Sequence, residues 1–108
     1  MRESIGNSEL MVLLAVMRLD EGAYGVPIVN ELERCGRRVA VASVYAALDR
    51  LEAKGLVTSV IGEPTAERGG RARRYFKLTG KGMRGIRATQ RVLKKLLQGL
   101  PVLKGRML

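Results

Sequence analysis

"SVYAALDRLEAKGLV", residues 43–57, reads as a helix with two unlike faces that stops abruptly. Val44, Leu48 and Leu51 recur at helical spacing and supply a face for a core. Tyr45, Ala46, Asp49 and Arg50 are interleaved with them and need another use. Lys54-Gly55 ends the helix, because glycine takes a left-handed C-terminal cap without steric cost. A β-branched run follows at once, so helix passes directly into strand.

Working outward, "LVTSVIG" and "ARRYFKLT" read as two strands, and "EPTAERGGR" between them as a polar hairpin loop. Upstream, "ELMVLLAVMRL" is a first helix that Asn7 or Ser8 can cap, broken by "DEGAYG". A second helix tolerates Pro27 in its first turn and turns Ile28, Leu32 and Cys35 inward. "GRRVAV" reads as a turn and a short extended stretch before the quoted helix. A last helix begins near Thr79 and ends by residues 99–101. The order predicts a mainly α fold with a small β-hairpin, a winged helix-turn-helix carrying one added C-terminal helix. Residues 1–79 form the winged helix-turn-helix and residues 80–108 the C-terminal helix and tail.

The 108 residues suit one core, and the absence of histidine with a single cysteine argues against Ser-His triads, zinc sites and internal disulfides. No catalytic residue set, metal site or cofactor site is expected. Cys35, in register with Ile28 and Leu32, reads as a small core residue. The longest apolar run, residues 10–17, is too short to span a bilayer, and a cytoplasmic location follows by default. Residues 80–85, "GKGMRG", match a dinucleotide-binding pattern. The match is coincidental, since no second βα unit follows and no acidic residue comes after Glu67.

Charge divides the chain. Residues 1–54 hold seven Lys/Arg against eight Asp/Glu, whereas residues 55–108 hold thirteen against two. A polyanionic partner is implied, nucleic acid or an acidic membrane surface. The quoted helix, placed before a basic hairpin, favours DNA. Ser43, Tyr45, Ala46 and Arg50 offer hydroxyls, a methyl and a guanidinium to a groove, while Asp49 repels phosphate unless it pairs with Arg50 or accepts from cytosine. In the hairpin, Arg68, Gly69, Gly70, Arg71, Arg73 and Arg74 combine close backbone approach with phosphate-binding charge, and Lys77 continues the strip. Tyr75 and Phe76 point to opposite faces of their strand, one into the core and one outward.

Two helices carry surplus apolar surface. The first has Leu10, Leu13, Leu14 and Met17 on one side and Met11 and Val12 on another, more than one core can cover. The last spaces Met83, Ile86, Gln90, Leu93, Leu97 and Leu100 by alternating steps of three and four, a heptad seam with one polar position. Leu10, Leu14 and Met17 with that seam are the expected dimerisation surface, and a seam used in this way is withdrawn from any membrane.

These segments together resemble the PadR-like family of bacterial transcriptional regulators. The resemblance covers about residues 8–100 and rests on "ELMVLLAVMRL…AYGVPIVNELE", "SVYAALDRLEAKGLV" and "GGRARRYFKLTGKG" in that order. It implies a winged-helix dimer, usually a repressor, on an inverted-repeat operator of double-stranded DNA. By position it assigns Tyr24, Ser43, Tyr45 and Arg50 to DNA contact, residues 69–74 to the wing and the last helix to dimerisation. It also implies a small-molecule effector at the dimer interface. Members that hold planar drugs between tryptophans have no counterpart in this chain, which lacks Trp. The alternative is a winged-helix adaptor for RNA or another protein, since the fold does not dictate function. Few aromatics are present for stacking RNA bases.

Overall fold

The computed structural model describes residues 5–62 and 73–100. Helix α1 (Asn7–Leu19) is followed by a single 3-10 turn (Asp20–Gly22), then α2 (Gly25–Arg34) and α3 (Val41–Ala53). The strands β1 (Val57–Ile61) and β2 (Arg74–Leu78) precede α4 (Gly80–Leu97). The fold is mainly α with a small β-hairpin. Among the described residues no helix is long and apolar enough to cross a membrane.

One core joins all the elements. Val12, Leu13 and Val16 from α1, Ile28 and Leu32 from α2, and Val44, Leu48 and Leu51 from α3 are buried together with Phe76 of β2 and Ile86 of α4. A fully buried side chain of this size stabilises the fold by about 1.5–3 kcal/mol relative to exposure. The hairpin is antiparallel, with Val57 opposite Leu78, Ser59 opposite Phe76 and Val60 opposite Tyr75. Phe76 fills the core and Tyr75 stays half-buried on the other face, as strand alternation requires.

The turns that follow α2 and α3 each use a left-handed glycine. At the end of α3, Gly55 has φ +79°, and Leu56 N–H donates to the Leu51 carbonyl at 2.9 Å. At the end of α2, Gly36 has φ +100°, and Arg37 N–H donates to the Leu32 carbonyl at 2.8 Å. Such turns satisfy carbonyls that the helix leaves without partners.

Several local expectations need correction. Gly6, not Asn7 or Ser8, is the N-cap of α1, because the helix already begins at Asn7. The stretch "GRRVAV" forms no strand: the sheet has two strands, and Phe76 N–H donates instead to the Ala23 carbonyl at 2.8 Å. Cys35 is exposed rather than in the core, since α2 ends at Arg34 and the helical register with Ile28 and Leu32 is lost one residue too soon. The glycines of residues 80–85 have a packing use. A Cβ on Gly82 would fall 2.2 Å from the Leu56 carbonyl oxygen, so only glycine lets α4 seat against the corner between α3 and β1.

Candidate nucleic-acid interface

α3 buries Val44, Ala47, Leu48 and Leu51 and exposes Ala42, Ser43, Ala46, Asp49 and Arg50. The open face thus runs along Ala42, Ala46 and Asp49, with Ser43 at one flank and Tyr45 at the other. The N-cap of α3, Ala40, has no side-chain acceptor, so the positive end of the helix is not neutralised by its own cap. Arg37, Arg38 and Ser43 surround a cavity of about 300 Å³ beside it. Arg37 Nη2 donates to Ser8 Oγ at 3.4 Å, and Arg38 has no acidic partner among the described residues. The sequence reading passed over these two arginines. Their signal was Gly36, whose left-handed turn aims the next residues at the start of α3.

Tyr45 borders the N-terminus of α2, where a Cβ on Gly25 would meet the phenol oxygen at 2.3 Å. The adjacent Tyr24 is the N-cap of α2, and its ring meets Tyr75 edge-on with centroids 5.3 Å apart. The Arg73 guanidinium lies 4.7 Å from the Tyr24 ring centroid, a cation–π contact. Tyr24, Tyr75 and Arg73 therefore tie the start of α2 to the stem of the wing. Arg68, Gly69, Gly70 and Arg71 lie outside the described residues.

Two of the expected DNA-facing arginines are engaged within the protein. Arg50 Nε donates to Glu9 Oε2 at 2.7 Å, and Lys54 Nζ donates to Glu9 Oε1 at 2.7 Å. Burial pushes the Glu9 carboxyl up, but Lys54 and Arg50 together outweigh it and hold it below the usual glutamate value. Arg74 opens β2, within the strand read from "ARRYFKLT". It pairs with Glu52 and, at 3.4 Å, with Asp49, while its guanidinium stacks 4.9 Å from the Phe76 ring centroid. Asp49 thus finds its cation in Arg74, not Arg50. Ser59 Oγ donates to Glu52 Oε2 at 2.8 Å and completes the tie between α3 and the hairpin.

On the far side of the molecule, Leu10, Leu14 and Met17 of α1 and Ile86, Thr89, Gln90 and Leu93 of α4 line an apolar groove of about 340 Å³. Met83 is half-buried near the start of α4, and beyond Gln90 the helix is largely exposed. The seam differs from expectation at its end. Leu97 closes the helix and Leu100 stands outside it, because Gly99 turns left-handed at φ +78° and the residue before a proline disfavours helix. Leu96, absent from the expected seam, is 67% exposed and extends the apolar band instead.

The model of the PadR-like family of transcriptional regulators matches residues 13–88. The chain is 35% identical over 77 residues to the transcriptional regulator Rv3488 of Mycobacterium tuberculosis, covering 71% of this chain and 68% of that protein. A PadR family transcriptional regulator from Eggerthella lenta superposes with a TM-score of 0.69 at 27% identity, over 93% of this chain and 86% of the other. A PadR family regulator from Clostridium difficile, at 23% identity, shares the fold with a TM-score of 0.68 over 84% of this chain and 94% of the other. With its open α3 face, hairpin stem and family match over most of its length, the chain belongs to the PadR-like family of transcriptional regulators.

Proposed function

We propose that this chain binds a specific double-stranded DNA operator as a homodimer in the cytoplasm and represses transcription until a small-molecule effector releases it. The observation that carries the reading is the exposed face of α3, set beside the Arg37-Arg38 turn and tied through Arg74 to strand β2. Ser43, Tyr45 and Ala46 supply groove contacts, and Arg38 with the wing arginines supplies phosphate contacts. Residues 1–79 form the DNA-binding part and residues 80–108 the pairing part, with an inverted repeat mirroring the two-fold axis. Dimerisation is supported by the apolar groove between α1 and α4 and by the exposed Leu93 and Leu96. An effector bound at that interface would change the spacing of the two α3 helices.

The test is a footprint over the region upstream of the gene and its neighbours, with transcription measured in cells carrying and lacking the protein. Protection of two half-sites related by dyad symmetry, with derepression in the deletion strain, is expected. Absence of any protected site would overturn the reading.

A further inference from the structure

Glu9 is the buried charged side chain among the described residues, 7% exposed in the first turn of α1. Its two carboxylate oxygens hold two different cations, Arg50 of α3 and Lys54 at its C-cap, each at 2.7 Å. Those cations reach the surface, where the Arg50 side chain is 53% exposed and that of Lys54 28%. A buried acid beneath two surface cations, on the helix that meets DNA, occupies them much as a phosphate would.

We infer that Glu9 acts as an internal phosphate mimic, a specificity-determining residue that keeps Arg50 and Lys54 from binding DNA of arbitrary sequence. The inference rests on the DNA-binding reading above. A phosphate offers Arg50 nothing that Glu9 does not already supply, and leaving would strip a buried carboxylate of one of its two cations. Exchange is favourable only for a contact that Glu9 cannot match, such as bidentate pairing with a guanine edge. Asp49 and Glu52 engage Arg74 at the other flank of α3, but Asp49 is 65% exposed and open to exchange with solvent. Glu9 differs because water cannot take over its role.

The test titrates the native protein, Glu9→Gln, Arg50→Ala and the Glu9→Gln/Arg50→Ala double variant against a mixed-sequence duplex over a range of salt. Glutamine keeps the shape and one acceptor oxygen but removes the charge. Glu9→Gln should bind the duplex severalfold more tightly, with a log K against log[salt] slope steeper by about 0.9 for each cation released. The double variant should lose the part of that gain due to Arg50. A merely structural Glu9 would give the opposite sign: lower melting temperature, weaker binding and an unchanged slope. That result overturns the inference. Should Glu9→Gln fail to fold, Arg50→Ala decides. Its slope on the mixed duplex should equal the native one, and a slope flatter by about 0.9 per protomer would show Arg50 already on phosphate and overturn the inference. No binding by the native protein to mixed or upstream DNA would overturn the DNA-binding reading itself, and the inference with it.

Discussion

The Tyr45 ring lies across the backbone of Gly25, with a Cβ built on that glycine 2.3 Å from the phenol oxygen and 2.5 Å from the carbon that bears it. The Tyr-Gly pair at the start of α2 and the Val-Tyr pair in α3 are therefore one structural unit. Gly25→Ala should push the ring off α2, costing about 1–3 kcal/mol as other overpacking substitutions do. Tyr45→Ala in the same chain should recover part of that loss. Urea unfolding of both single variants and the double one checks it, and strictly additive losses would show that the two residues do not interact.

Leu93 lines the apolar groove on the side where α4 runs out into solvent. A glutamate there, alone or with Leu97→Glu, should give a monomer that keeps its helix content and binds operator poorly. Light scattering coupled to size exclusion is the measurement. A native protein already monomeric at micromolar concentration would refute the pairing surface.

Glu31 is held by Arg34 and Arg18, which take its carboxyl from the ordinary 4.5 to about 2. The folded chain thus binds this proton less readily than the unfolded one. The stabilisation is complete above pH 4.5 and is lost as pH falls toward about 2. Glu31→Gln should be less stable at neutral pH and should show a shallower fall of melting temperature across that acid window. Parallel curves for the two proteins would show that the cluster contributes nothing.

The wing and α3 should divide affinity from specificity. Arg71→Ala in the wing and Arg38→Ala in the turn should weaken operator and random DNA alike, each flattening the salt slope by about 0.9 per site. Arg50→Ala should cost about 1–3 kcal/mol on operator and little on random DNA, as expected of a base contact. Titrations of the three variants on both duplexes at several salt concentrations separate the roles. Selective loss of operator binding by Arg71→Ala would move sequence reading to the wing.

Much of this was legible because it is local. The core stripe of α3, the left-handed Gly55 and the alternation that puts Tyr75 and Phe76 on opposite faces each follow from a few neighbouring residues, although alternation alone did not say which ring faces in. Where the reading went astray, the deciding partner was distant or the helix ended early. Arg50 meets an acid 41 positions away, which no periodicity reveals. Cys35 and Leu100 each follow a helix that stops before reaching them, so a correct spacing pointed to an incorrect face. Gly25 follows a helix-breaking stretch and Gly82 sits in a coincidental dinucleotide pattern in sequence, yet both serve as close-approach points in the fold.

The end of α3 is fastened to the start of α4 by three bonds. Thr79 Oγ1 donates to the Gly55 carbonyl at 2.7 Å, Thr79 N–H to the Leu56 carbonyl at 3.1 Å, and Lys81 Nζ to the Lys54 carbonyl at 2.8 Å. The proposed reading helix and the proposed pairing helix are thus bonded end to end. In a dimer joined through α4 this makes the molecule a ruler, whose length is set by the angle at residues 54–56. Operators differing only in the number of base pairs between half-sites should then show one sharp optimum, with affinity falling steeply for a single pair added or removed. Loosening the weld with Thr79→Ala should broaden that optimum while leaving the preferred half-site sequence unchanged.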